Sequence, residues 1–172
     1  LSSYGKIECE KYWHKWNSLV LKRLNITKNE EIAKIVQSKW FDHVDCTPYP
    51  EAKEVLLRLK QVGLKVGLIS TAYEEEIALI LEKANLENKI FDIIVGADTI
   101  EKAKPHPDVF RHALKELKVK PYETMFIGDS IDADYEGARN MGLQAVLLNR
   151  TKNKKVHGLQ TITNLKEILA HI

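Results

Sequence analysis

Two carboxylates, a lysine and two hydroxyls stand in this sequence where they can act together. The densest group is Met125-Phe126-Ile127-Gly128-Asp129-Ser130-Ile131-Asp132-Ala133-Asp134. An apolar run ending at Gly128 delivers Asp129 to the end of a strand, and Asp134 follows about one helical turn later. Two acids aimed at one point repel each other, and a hard cation with oxygen ligands relieves that repulsion. Magnesium suits the pair because it takes few protein carboxylates and keeps waters and a phosphate oxygen. Either acid alone would serve equally well as the cap of the next helix.

The second group is Lys104-Pro105-His106-Pro107-Asp108. A lysine just before a helix opening can set a positive charge against both a phosphate and a neighbouring carboxylate. Its plainer reading is an exposed lysine. His106, ahead of a helix-opening proline, is given no role. The third group is Leu68-Ile69-Ser70-Thr71. Hydroxyls and backbone N–H groups at a helix start suit phosphate oxygens, while the Thr71 and Glu74 spacing also fits a capping box. Glu74, Glu75 and Glu76 would oppose a phosphate if turned inward, so they are expected to face solvent.

These groups need elements to hold them. Over residues 46–172 short apolar runs alternate with helical patterns. Pro50 opens a helix with Ala52, Val55, Leu56, Leu59 and Val62 on its apolar face, and Gly63 ends it. Strands are expected at Val66–Ile69, Phe91–Val95, Thr124–Ile127 and Ala145–Leu148. Helices are expected over Ile77–Ala84, after Pro107, around Asp134–Asn140 and over Asn164–Ile172. This alternation predicts βαβ units and a parallel sheet, whose strand ends share one edge. Ser70, Gly96 and Asp129 each follow a strand, so all three are expected at one crevice. Residues 1–45 read as two helices, one with Tyr12, Trp16, Leu19, Val20 and Leu24 as its stripe. The other carries Ile32, Ile35, Val36, Lys39 and Trp40, with Thr27 and Glu30 as a capping box.

Composition sets limits. The 26 basic and 24 acidic residues are scattered and leave a net charge of +2, which gives no footprint for nucleic acid. The basic run Arg150, Lys152, Lys154 and Lys155 reads as a solvated loop. No apolar stretch approaches the ~20 residues that span a bilayer. Cys9 and Cys46 have no partners at metal-ligand spacing, so a cytoplasmic setting without disulfides is expected.

Together the three groups resemble, in order and spacing, the second, third and fourth motifs of the haloacid dehalogenase-like hydrolases. The resemblance covers roughly residues 48–150 and is similar to the phosphatase branch with a helical cap. It implies an α/β, three-layer Rossmann-like core over 46–172 and a small helical cap over 1–45. It implies that Ser70 and Thr71 bind phosphate, that Lys104 steadies phosphate and nucleophile, and that Asp129 and Asp134 serve Mg2+. The substrate implied is a small phosphorylated metabolite. The family's first, central strand ends in Asp-x-Asp, whose first acid attacks phosphorus. That strand is expected upstream of Leu1, since Asp132-Ala133-Asp134 lies past the strand end. A strand from another chain in a homodimer, or a non-catalytic relative acting by binding, are the alternatives. A metal-free 2-haloacid dehalogenase is a further one.

Overall fold

The computed structural model describes residues 6–26, 29–100, 102–151 and 158–171. The chain forms two compact units, one closing at Cys46 and the other opening at Thr47. Each is built on its own contacts.

In the first unit α1 (Lys6–Arg23) packs on α2 (Asn29–Ser38), and the short α3 (Trp40–His43) follows. The expected apolar stripes are not the contact face. Trp16, Leu19, Val20 and Leu24 are exposed, as are Ile35, Val36 and Trp40. Ser18, Leu21 and Ala33 are buried instead. Small residues let the two helices approach closely, and polar ties then hold them. His14 Nε2 meets Glu30 Oε2 at 2.7 Å, and Asn29 Nδ2 donates to the Ser18 carbonyl at 3.4 Å. The Tyr12 side chain, Thr27 and the lysines at 152, 154 and 155 lie outside the described residues.

The second unit is α/β. Its elements run α4 (Ala52–Gln61), β1 (Gly67–Ile69), α5 (Glu74–Lys83), β2 (Ile93–Val95), α6 (Pro107–Leu117), β3 (Met125–Gly128), α7 (Gly137–Asn140), β4 (Gln144–Leu148) and β5 (Thr161–Ile162). A 3₁₀ helix, Leu165–His171, takes the place of the expected closing α-helix. Gly63, with φ of +82°, lets the chain turn back after α4. Among the described residues the strand pairs are all parallel and form two sheets, β1–β2 and β3–β4–β5. The short β5 has too few residues to show a period, and the sequence does not announce it.

Helices cover both faces of the β3–β4 pair. Phe126, Ala145 and Leu147 pack with Phe110 and Leu114 of α6 and with Tyr135 and Ala138. Alternate residues, Met125, Ile127, Val146 and Leu148, pack with Val55 of α4 and Ile168 of the 3₁₀ helix. That is the period of two expected of strands buried on both sides. Ile69 of β1 joins the Phe110 cluster and also packs with Val95, Val109 and Ala113. Helix α6 therefore lies against both sheets and ties them together.

Candidate active site

Lys104 joins two of the expected site segments, the end of β1 and the turn after β3. Its side chain is only 11% exposed, and Nζ donates to Asp134 Oδ1 at 2.6 Å and to the Ile69 carbonyl at 3.2 Å. Ser70 N–H bonds across to Val95 of β2 at 2.9 Å. Backbone direction alternates along a strand, so the Ile69 carbonyl turns to the other side, the edge of β1 away from β2. One ammonium thus joins the edge of β1 away from β2 to the loop after β3. Phe126 lies beneath it, with its ring centroid 5.6 Å from Nζ.

Asp134 is 4% exposed and its carboxylate is fully engaged. While Oδ1 takes Lys104, Oδ2 accepts the N–H groups of Asp129 at 3.1 Å and Ser130 at 3.0 Å. A π-helical turn, Ile131–Glu136, brings the acid back under the strand end. Ser130 caps that turn by accepting from Ala133 N–H at 3.1 Å. Gly128 is required here because a Cβ would stand 2.3 Å from Asp134 Cγ. Gly137 is required in the same way, since a Cβ there would meet the Phe110 ring at 2.9 Å.

Asp129 is exposed, and among the described residues its carboxylate has no partner. Ser70 is half-buried, and its Oγ accepts from Ala72 N–H at 3.1 Å. Thr71 is exposed and does not cap α5. The cap is formed by Tyr73, whose N–H donates to Glu76 Oε2 at 2.9 Å. The acidic cluster is also not simply solvated. Glu74 accepts from the Thr99 hydroxyl at 2.6 Å, Glu76 is half-buried in the cap, and Glu75 is exposed. A groove of about 710 Å³ along Leu79, Glu82 and Leu86 of α5 and the turn after it contains none of these residues.

The donor set fits a hard cation only in part. Among the described residues no cluster of three or more His, Cys, Asp or Glu side chains could hold a metal. Asp129 offers an open carboxylate at a strand end, which suits one direct bond to magnesium. The Asp134 oxygens already serve an ammonium and two amides, which suits a supporting role behind that bond.

One ion pair escapes sequence reading. Arg150 Nη1 donates to Glu51 Oε1 at 2.7 Å, across 99 positions. The Glu51 carboxyl is held below the ordinary carboxylate range by its own backbone N–H and then by Arg150.

Comparisons with known proteins give the chain's family and fold. A pyrophosphatase PpaX of Bacillus mycoides (strain KBAB4) is 30% identical over 131 residues, or 75% of this chain and 60% of that protein. The pyrophosphatase PpaX of Bacillus cereus (strain B4264) matches with the same identity and coverage. The chain therefore spans 60% of the length of these relatives. Among solved structures, a putative β-phosphoglucomutase from Thermotoga maritima superposes with a TM-score of 0.79 at 17% identity, covering 99% of this chain and 85% of that one. The putative HAD-hydrolase YfnB of Bacillus subtilis, bound to magnesium, gives 0.78 at 16% identity, covering 98% and 73%. The family model for haloacid dehalogenase-like hydrolases matches residues 1–148, and the chain belongs to that family.

Proposed function

We propose that this chain serves a magnesium-dependent phosphatase that hydrolyses a small phosphate monoester or anhydride through an aspartyl-phosphate. The observation that carries the reading is the buried Lys104, held 2.6 Å from Asp134 and 3.2 Å from the Ile69 carbonyl, with the other Asp134 oxygen accepting from the Asp129 N–H. A fixed ammonium there offsets the charge of a phosphoryl group and of the acid that attacks it. The attacking aspartate is assigned to an Asp-x-Asp segment upstream of Leu1. Names of the relatives at 30% identity point to phosphorus–oxygen cleavage as well.

Each residue on this chain has its part. Ser70 and Thr71 offer hydroxyls and amides to the phosphoryl oxygens at the start of α5. Lys104 keeps nucleophile and phosphate together. Asp129 would hold magnesium, which polarises the phosphoryl oxygens when bound. Asp134 orients Lys104 and the Asp129 backbone from behind and assists the ion's water shell. Dehalogenation needs no such ion, so the open Asp129 favours the phosphatase.

The test is phosphate release from a generic aryl phosphate by the protein with its Asp-x-Asp segment present. Release should require Mg2+, stop with EDTA, and be lost in Asp129→Ala. A folded protein containing that segment that releases nothing with any divalent ion would end the proposal.

A further inference from the structure

The geometry points to a second anion-binding subsite at Arg150, which takes an oxyanion borne by the substrate at a distance from the reacting phosphorus. Which anion it takes rests on the phosphatase reading; the subsite itself rests on the following contacts. Arg150 stands two residues beyond β4. Leu148 packs on the α4 face, and alternation returns Arg150 to that face, beside Glu51 at the start of α4. Because β3 and β4 are parallel, with Gly128 opposite Leu147, Arg150 sits at the same strand-end edge as Asp129.

The guanidinium is held on two sides. Glu51 Oε1 accepts from Nη1 at 2.7 Å, and Leu165 N–H donates to the same oxygen at 3.4 Å. The Tyr49 ring lies over one face, with its centroid 3.5 Å from Cζ. This arrangement fixes the plane and leaves one edge, Nε and Nη2. Both atoms are buried, and among the described residues neither has a hydrogen-bond partner.

Buried donors are seldom left unpaired, because each forfeits its hydration. An arginine has five N–H donors and no acceptor, and its Nε–Nη2 edge is the fork that binds two oxygens of a phosphate or carboxylate. Here the fork is pre-oriented and its own charge is already balanced by Glu51. An incoming oxyanion gains two aligned bonds without disturbing the ion pair. Because Nε and Nη2 are buried, side chains around the fork must shift to admit it.

The Nε–H resonance of Arg150, assigned by its loss in Arg150→Lys, reads the fork directly by 15N NMR on the 172-residue chain. Inorganic pyrophosphate, inorganic phosphate and acetate are titrated against chloride at matched ionic strength. A saturable shift with the phosphates identifies a phosphoryl group as the ligand, and one with acetate alone a carboxylate end. No shift beyond the chloride control, at millimolar anion, overturns the subsite. In the hydrolytic protein, Arg150→Lys keeps the charge and loses the fork. It should raise KM for a substrate with a second anionic group about tenfold, the loss of roughly one charge-assisted bond. KM for a simple aryl phosphate and kcat should stay unchanged. An equal effect on both substrates would mean Arg150 only holds α4 in place. A shifted resonance in a protein that hydrolyses nothing leaves the subsite standing and removes the phosphatase reading alone.

Discussion

At the scale of single residues, Asp134 is the side chain on which the others depend. Its two oxygens fix an ammonium and two backbone amides at once. Removing one partner of a buried ion pair leaves the other charge uncompensated, at a cost of about 3–5 kcal/mol. Asp134→Ala should therefore cost that much in urea unfolding, and Asp134→Asn less, since an amide oxygen still accepts from the two N–H groups. Gly128→Ala tests the same point from the strand side. Its new methyl overlaps the carboxylate, so a loss of about 1–3 kcal/mol is expected. Stability equal to wild type would show that Asp134 can move aside freely. Sequence alone placed Ser70, Lys104, Asp129 and Asp134 at strand ends or helix starts, because flanking glycines, prolines and apolar runs mark such places. It could not divide the two acids into an engaged one and an open one. That division depends on a π-helical turn, which has no distinct sequence period. Nor could it pair Glu51 with Arg150 across 99 positions.

Among the elements, the second unit is held by connections that cross its two sheets. Helix α6 carries Phe110, fully buried and packed edge-to-face on Phe126 with centroids 5.2 Å apart. Phe110→Ala should cost about 3–5 kcal/mol by chemical denaturation. A loss below 1 kcal/mol would mean that α6 does not bind the sheets together as its contacts suggest. Asp92 ties the end of α4 to the start of β1. It accepts from Lys60 Nζ at 2.6 Å and from Val66 N–H at 2.7 Å. These contacts, Lys60 first, hold its carboxyl below the ordinary range. A depressed carboxyl contributes stability that is present above its unfolded pKa, about 4, and is lost as pH falls through the folded value. Asp92→Asn should thus cost about 1 kcal/mol near neutrality, a modest figure because the pair is partly exposed. The gap from wild type should close as pH drops below about 4. A gap constant with pH would mean that only the hydrogen bonds matter. The strands β1 to β4 were legible because they read as plain apolar runs, and β3 and β4 are packed on both faces. Helix α1 shows the limit. Its period gave a helix but not its buried face, because close packing on Ala33 favours Ser18 and Leu21 over the large side chains.

For the molecule as a whole, the question is what this chain can do with a divalent ion. Among the described residues the Asp129 carboxylate has no partner, whereas Asp134 is already neutralised by Lys104. A single free carboxylate makes a weak magnesium site, with waters completing the shell. Weak binding still registers in stability, because an ion that binds only the folded state adds RT ln(1 + [L]/Kd). At ten times Kd the gain is about 1.4 kcal/mol. For a chain of this size that corresponds to a rise in Tm of roughly 3–6 °C. The 172-residue chain should show such a rise in a Mg2+ titration at constant ionic strength. Asp129→Asn should abolish it while leaving the metal-free Tm close to wild type, since among the described residues the Asp129 side chain has no partner. If the rise survives in Asp129→Asn, magnesium binds elsewhere and the role given to this acid is wrong. If wild type shows no rise at any concentration, the open carboxylate does not by itself make a site. The ion would then depend on groups that this chain does not provide.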